Sequence, residues 1–206
     1  MNRFRSFIFP IGKVHEKYKQ YIGWSFVSTI FVSAETALTT HSMLNAINND
    51  SEFIRTFNYI GKDIIGQIGG LTYMAKMGQK ADDNPKKFLL YSNILQQSAY
   101  MSISITPLLP NYFLPIAGFS NILSNISYTG FGAINAKCIQ KLAIDDNVGE
   151  IYAKISVINT LGSSIGLLIG LCITTLIPNQ ILRLSIIPLF AIARVFSYNK
   201  AINGLI

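Results

Sequence analysis

The sequence predicts an all-α, polytopic membrane protein with about six transmembrane helices and with both termini in the cytoplasm. Three observations lead to this prediction. Half of the 206 residues are hydrophobic and only 13% are charged, which is too apolar for an ordinary soluble domain of this size. Six segments approach the roughly 20 mostly apolar residues that a spanning helix needs. Finally, the basic residues gather in segments that would share one side of the bilayer.

The six predicted spans differ in strength. The first, residues 21–47, contains Glu35 and His41, and the second, residues 57–77, is rich in glycine. The fifth, residues 155–177, is the clearest because it contains no charged residue. The remaining three spans are residues 88–106, 112–136 and 180–198.

Polar or helix-breaking runs separate the spans. The two longest are "GQKADDNPKK" at 78–87 and "KLAIDDNVGE" at 141–150, and we expect both to be loops that face the cytoplasm. The shorter runs are "NNDSE", "PLLPN" and "PNQ". No internal repeat is evident in the sequence.

The distribution of lysine and arginine predicts the orientation. With a cytoplasmic N-terminus, the basic segment 1–20, the two longest loops and the end of the sixth span, with Arg194, all lie inside, as the positive-inside rule requires. The basic residues that then fall outside are Arg55, Lys62 and Arg183. The whole chain, 1–206, is therefore predicted to form a single membrane domain, in which a helical bundle at 21–198 follows the basic segment.

The second span and the run after it resemble the root UVB sensitive family. The best block is "KDIIGQIGGLTYMAKMGQKADDNPKKFLLYSNIL" at 62–95, and the resemblance extends from about residue 7 to about residue 170. Trp24, "LTTHSML" at 38–44 and "NVGEIYAK" at 147–154 also look like family segments. The resemblance implies a membrane-associated protein linked in plants to vitamin B6 homeostasis, with no established catalytic reaction. The matching residues in the best block are Lys62, Asp63, Gly66, Gly69, Gly78, Lys80, Asp82, Asn84, Lys86, Leu90, Ile94 and Leu95.

This chain departs from the family pattern at several charged positions. The resemblance places acids where Ser25, Asn93 and Gln97 stand, and arginines where Gly70 and Asn135 stand. It also implies a further C-terminal region, which we expect this chain to lack. Buried charges in a membrane are costly and are usually kept for function. The resemblance therefore implies the family fold more firmly than any family activity.

The run after the second span is also similar to the cytoplasmic loop of major facilitator transporters. The matching residues are Gly78, Asp82, Lys86 and Lys87. In such a loop the glycine lets helices approach, the aspartate caps or pairs, and the basic pair anchors at lipid headgroups. Six helices would make one half of such a transporter.

Polar side chains inside the predicted spans are the candidate solute-binding residues. We select Glu35, His41, Gln97 and Asn125, because an acid or amide within a membrane points to function. A structural ion pair is the alternative for Glu35, and hydrogen bonds between helices are the alternative for the amides. In the fifth span, Gly162, Gly166 and Gly170 stand four residues apart and predict close packing against another helix, of this chain or of a partner.

Two functions remain open at this stage. The first is a transporter-like protein for a small solute related to vitamin B6, and the second is a non-transporting scaffold or partner subunit. A Glu35→Gln exchange is expected to damage the first and to spare the second. We find no nucleophile–base pair and no metal-ligand spacing, and so predict no enzyme activity, no cofactor and no metal. The expected partners are the lipid bilayer and a second copy or another family member, and not nucleic acid.

Overall fold

The computed structural model describes residues 8–206, apart from the side chains of Thr72, Met74 and residues 76–81. The described residues form six α-helices and two single 3₁₀ turns between α3 and α4, and a bridge between Val14 and Ala143 is the only β-type pairing among them. The all-α prediction is therefore confirmed. The helices are α1 Tyr18–Ala46, α2 Glu52–Asp83, α3 Pro85–Ser104, α4 Phe113–Leu142, α5 Val148–Leu176 and α6 Gln180–Ile202.

The predicted loop at 78–87 is wrong, because most of this run is helical. Helix α2 continues to Asp83, and Asn84 alone separates it from α3. Pro85 disfavours a helical conformation in the residue before it and cannot continue a helix hydrogen-bond ladder. The Asn84 side chain then accepts a hydrogen bond from the Lys87 amide at 3.1 Å and caps the new helix. The dense charge of the run correctly indicated that Asp82, Asp83 and Asn84 are exposed. Exposure alone, however, does not make a segment a loop.

The helices pack as two three-helix bodies that are interleaved along the chain. Helix α1 packs most extensively on α5 and α6, whereas α4 packs on α2 and α3. If α1, α2 and α3 are matched in order with α4, α5 and α6, the two contacts of α1 with α5 and α6 correspond to the two contacts of α4 with α2 and α3. The fold therefore contains a three-plus-three repeat that the sequence does not reveal. We call α1, α5 and α6 the first body, and α2, α3 and α4 the second body.

Close glycine contacts hold corresponding helix pairs in the two bodies. A Cβ atom at Gly162, Gly166 or Gly170 of α5 would lie 3.0, 2.2 or 2.8 Å from a backbone oxygen of α1. In the second body, a Cβ atom at Gly66 of α2 would lie 2.7 Å from the Asn121 side chain of α4. Small residues thus allow α5 to approach α1 and allow α2 to approach α4.

One end of the bundle, which we call the basic end, brings together the residues before α1, the α2–α3 turn, the α4–α5 loop and the end of α6. The Ile11 amide donates to Glu150 at 2.8 Å, and Lys137 pairs with Asp82 at 3.3 Å. The Gln20 amide donates to the Lys200 carbonyl at 2.7 Å. Helices α1, α3 and α5 begin at this end, and α2, α4 and α6 finish there. Each helix therefore runs opposite to its counterpart in the repeat.

Tyr18 illustrates how firmly the basic end is packed. Its side chain is 1% exposed, and its hydroxyl donates to the Ile8 carbonyl at 2.8 Å. Burial, with a smaller contribution from the Glu150 carboxylate, raises the pKa of Tyr18 to about 12. The phenol therefore stays neutral and keeps its donor at physiological pH.

Two helices, α5 and α6, are long and apolar enough to cross a membrane, as judged from length and composition. Of the predicted six spans, these are the two that meet both criteria within the described residues. Their most apolar 18-residue windows are only 22% and 28% buried. The core helix of a soluble protein is mostly buried, so these helices present apolar surface to their surroundings instead.

Candidate functional site

A cavity of about 260 Å³ lies between the two bodies, and polar groups are set into a mainly apolar wall. We call it the central cavity. Helices α1, α5 and α6 supply one wall, and α3 and α4 supply the other. Its lining is rich in hydroxyl and amide groups and carries one arginine. The lining residues are Ser25, Ser28, Thr29, Val32, Asn93, Tyr128, Phe131, Gly132, Asn135, Asn159, Arg194 and Tyr198.

The arginine of the cavity forms a buried ion pair across the first body. The Arg194 Nε atom of α6 lies 3.4 Å from the Glu35 Oε2 atom of α1, and the two side chains are 3% and 0% exposed. Neither side chain makes a hydrogen bond within the described residues. The guanidinium also lies near the Tyr100 ring of α3, 6.0 Å from its centroid. The guanidinium of this pair thus lies at the boundary between the bodies.

Two asparagines present amide donors in the cavity wall. The Asn159 carbonyl oxygen accepts hydrogen bonds from Ser25 at 3.1 Å and from Thr29 at 3.3 Å. The Asn135 carbonyl oxygen accepts from the Tyr21 hydroxyl. Because both carbonyl oxygens are occupied, the amide nitrogens are the groups left to meet a solute. Asn93 is the opposite case, since its amide donates to the Leu89 carbonyl at 3.0 Å and its carbonyl oxygen has no partner among the described residues.

None of the four predicted solute-binding residues is among the residues that line the central cavity. Glu35 contacts the cavity wall through Arg194. His41 lies further along α1 and contacts Arg183, with 3.1 Å between Nδ1 and Nη1. Gln97 and Asn125 are half-buried, and neither lines the central cavity. A solute site at these four residues stays a prediction, and Glu35 is linked to the central cavity through Arg194.

Arg194 is the main residue that sequence reasoning misplaced. It was assigned to the cytoplasmic end of the sixth span, but it is buried against Glu35. A signal was available, because an acid inside an apolar helix needs a cation to offset the loss of hydration. Ser25, Asn93 and Asn135 were noted for departing from the family pattern, and all three line the cavity.

The residues that resemble the transporter loop lie at the basic end, away from the central cavity. Asp82 pairs with Lys137 across α2 and α4. Lys86 lines a separate small cavity with the end of α6, and the Lys87 ammonium lies 5.9 Å from the Tyr91 ring centroid. The surroundings of Gly78 lie outside the described residues. The aspartate therefore pairs rather than caps, and this pair links the end of α2 to α4.

The small-residue ridge of α5 lies against α1 of the same chain. Its three glycines face the backbone of α1 around Phe26, Ile30 and Ala34. Beside them, the Ser33 and Ser163 hydroxyls form a hydrogen bond at 2.9 Å. This ridge holds α1 in the position from which Glu35 reaches Arg194. No group of three or more histidine, cysteine, aspartate or glutamate side chains suited to a metal occurs in residues 8–206 as far as they are described.

Comparison with known proteins identifies a matching domain over almost the whole chain. Residues 1–205 match a family model described as a vitamin B6 photo-protection and homoeostasis domain. The chain is 29% identical to protein root UVB sensitive 4 of Arabidopsis thaliana over 84% of its own length and 34% of that protein. It is 28% identical to protein root UVB sensitive 5 of the same plant over 82% of its length and 36% of that protein.

A more distant relative comes from a different kind of organism. RUS family member 1 of Dictyostelium discoideum is 24% identical to this chain over 82% of its length and 33% of that protein. The chain thus spans about a third of the length of these relatives. No solved structure matches it.

Proposed function

Because the chain belongs to the root UVB sensitive family, whose domain is described by vitamin B6 photo-protection and homoeostasis, we propose that it is a transporter-like protein for a small solute of the vitamin B6 class. In this proposal the chain crosses the bilayer several times and binds its solute in the central cavity. The observation that carries the proposal is the position of that cavity. It has a mainly apolar wall with hydroxyl and amide groups, contains a buried arginine and lies between two bodies of an inverted repeat.

Exposed apolar side chains support a membrane location. A stripe along one face of α2 recurs every three or four residues, as lipid-facing residues of a helix do. Contiguous apolar patches of more than a few hundred Å² are rare on soluble monomers. Together with the exposed apolar side chains of α5 and α6, this stripe gives the bundle a large apolar outer surface. Its members are Phe53, Phe57, Ile60, Ile64, Ile68 and Leu71, each more than half exposed.

The basic end supports a cytoplasmic position for both termini. Lys13, Lys86, Lys137 and Lys200 lie at or near this end, which the contacts described above assemble from distant parts of the chain. Lysine and arginine are enriched on the cytoplasmic side of membrane proteins. Arg194 does not belong to that group, but the four lysines named here still lie at this end.

A direct test of this topology uses two cysteine substitutions, each introduced separately in a Cys172→Ser background. We expect Ser51→Cys, at the turn between α1 and α2, to react with a membrane-impermeant thiol reagent on intact cells. Lys86→Cys, at the basic end, should react only after the cells are permeabilised. Both positions are exposed in the structure, so equal labelling of the two in intact cells would contradict a bundle that spans the membrane.

The inverted repeat supports the transporter-like part of the proposal. Many secondary transporters consist of repeats that run in opposite directions, bind solute at the interface and rock one body against the other. Here the two bodies are joined by only two segments, residues 47–51 and 143–147. The Tyr100 hydroxyl crosses between the bodies to contact Thr36 at 3.0 Å. A small number of polar contacts of this kind can exchange as the bodies move.

The alternative is a membrane scaffold that transports nothing. The apolar stripe of α2 favours it, because such a face can also pack against another membrane helix. Uncharged side chains at Ser25, Asn93 and Asn135, where the family resemblance implies charges, favour it as well. Exchanging Glu35 for glutamine does not separate the two functions, since it would also break the ion pair with Arg194.

Filling the cavity separates the two functions. We expect pyridoxine to raise the thermal stability of the purified chain in detergent, by about 2.7 kcal/mol at a hundred times its dissociation constant. Gly132→Leu should abolish this effect, because a Cβ atom there meets nothing within 4 Å and the larger side chain projects from the cavity wall. Gly23→Leu is the matched control, with equally open surroundings on α1. A well-folded chain that no vitamin B6 vitamer stabilises would support the scaffold.

A further inference from the structure

The Arg194 guanidinium has hydrogen-bonding capacity that its neighbours do not use. Its side chain is 3% exposed, and Nε, Nη1 and Nη2 all have no hydrogen-bond partner among the described residues. Glu35 lies on the Nε side at 3.4 Å. An arginine carries five N–H donors in a planar fork. Leaving such donors unsatisfied in a buried position is unfavourable, so the site is suited to an additional acceptor.

The other polar groups of the cavity wall are also biased toward donors. Asn135 and Asn159 have their carbonyl oxygens occupied and their amide nitrogens left over. The Asn93 carbonyl oxygen is the opposing unsatisfied acceptor. A ligand that matches this wall must therefore offer several acceptor atoms close together. A carboxylate or a phosphate does so, and the guanidinium fork binds either group through two parallel hydrogen bonds.

Glu35 limits how much negative charge the site can hold. It offsets the charge of Arg194, but the pair is long and lacks a hydrogen bond, so the guanidinium is still able to bind a second anion. The aromatic side chains of Tyr128, Phe131 and Tyr198 line the rest of the cavity. They provide flat apolar surface for a ring attached to the anion. A volume of about 260 Å³ lies near the lower limit of ligand pockets, roughly 300 Å³, and fits a single-ring molecule.

We propose that the central cavity binds its solute by an oxyanion, a carboxylate or a phosphate, through the Nη atoms of Arg194. This inference rests on the proposed function and adds the chemical class of the solute. It also assigns Arg194 as the residue that selects the charged form over the neutral one. Asn135 and Asn159 are then supporting donors on α4 and α5, one from each body.

The test compares three single-ring probes and two simple anions. Pyridoxine is neutral, pyridoxine 5′-phosphate carries a phosphate, and 4-pyridoxate carries a carboxylate. Inorganic phosphate and acetate carry the oxyanion without the ring. We expect at least one of the two charged rings to bind the full-length chain in detergent tenfold or more tightly than pyridoxine. Which of the two binds more tightly identifies the oxyanion.

The matched variant is Arg194→Lys, which keeps a cation beside Glu35 but removes the planar fork. We expect it to weaken binding of the charged ring by tenfold or more and binding of pyridoxine by a clearly smaller factor. Equal affinity of wild type for charged and neutral rings would overturn the oxyanion inference and leave the proposed function standing. If no ring binds but inorganic phosphate stabilises wild type and not Arg194→Lys, the inference stands and the vitamin B6 class is wrong. Failure of all five probes to bind overturns both.

Discussion

Replacing Arg194 with methionine should destabilise the folded chain by about 3–5 kcal/mol, the typical result of removing one partner of a buried ion pair. The Glu35 carboxylate has no exposed surface. Without the guanidinium it must either remain charged in an apolar interior or take up a proton, and both states disfavour folding at neutral pH. Methionine fills similar volume, so lost packing adds little. The measurement is the unfolding free energy of the purified chain in detergent.

Two further variants assign this effect to the ion pair. The double exchange Glu35→Gln with Arg194→Met removes both charges, and it should recover most of the lost stability because no unpaired ion is left. Lys200→Met removes a cation from the same helix at an exposed position and should change stability by less than about 0.5 kcal/mol. If the single Arg194 variant were as stable as wild type, the buried pair described here would not exist in the folded protein.

Replacing Gly166 with alanine should destabilise the chain by about 3 kcal/mol, at the upper end of the range for overpacked interiors. The added Cβ atom would lie 2.2 Å from the Ile30 carbonyl oxygen and 2.8 Å from the Ser33 Cβ atom. The first contact is with backbone, which cannot rotate away as a side chain does. Helix α5 must therefore move off α1, and the hydrogen bond between Ser33 and Ser163 would be strained as well.

The control for Gly166→Ala is the same exchange at Gly23. A Cβ atom there meets nothing within 4 Å, so alanine should raise stability by up to about 1 kcal/mol through its better helix propensity. Thermal unfolding of the two variants side by side measures the difference. A neutral result at Gly166 would mean that α5 does not approach α1 as closely as described.

Much of the fold could be predicted because the chain alternates long apolar segments with polar runs. Helices α5 and α6 were predicted best as spans, since both are long and apolar enough to cross a membrane. The α2–α3 turn was not predicted correctly, because a dense cluster of charges indicates exposure and not conformation. Asn84 and Pro85 together determine where the helix breaks. Their effect covers only two or three residues, so the composition of the whole run does not reveal it.

The candidate site was harder to predict, because its residues come from five helices that are distant in sequence. Glu35 could be selected from sequence as an acid within an apolar helix, but its partner is 159 positions further along the chain. The repeat could not be detected either. The repeat depends on glycines that allow helix backbones to approach closely, and the two helices space these glycines differently. The glycines of α2 are Gly66 and Gly69, and those of α5 are Gly162, Gly166 and Gly170.

The interleaving of the two bodies has a consequence for how the protein is made. Helices α2, α3 and α4 are consecutive, so the second body can assemble as soon as the ribosome has released α4. Helix α1 is synthesised first, yet its main neighbours α5 and α6 emerge last. Until then Glu35 has no cation beside it, and the surface that will receive the glycines of α5 is uncovered. The first of the six helices to be synthesised is therefore the last to complete its packing.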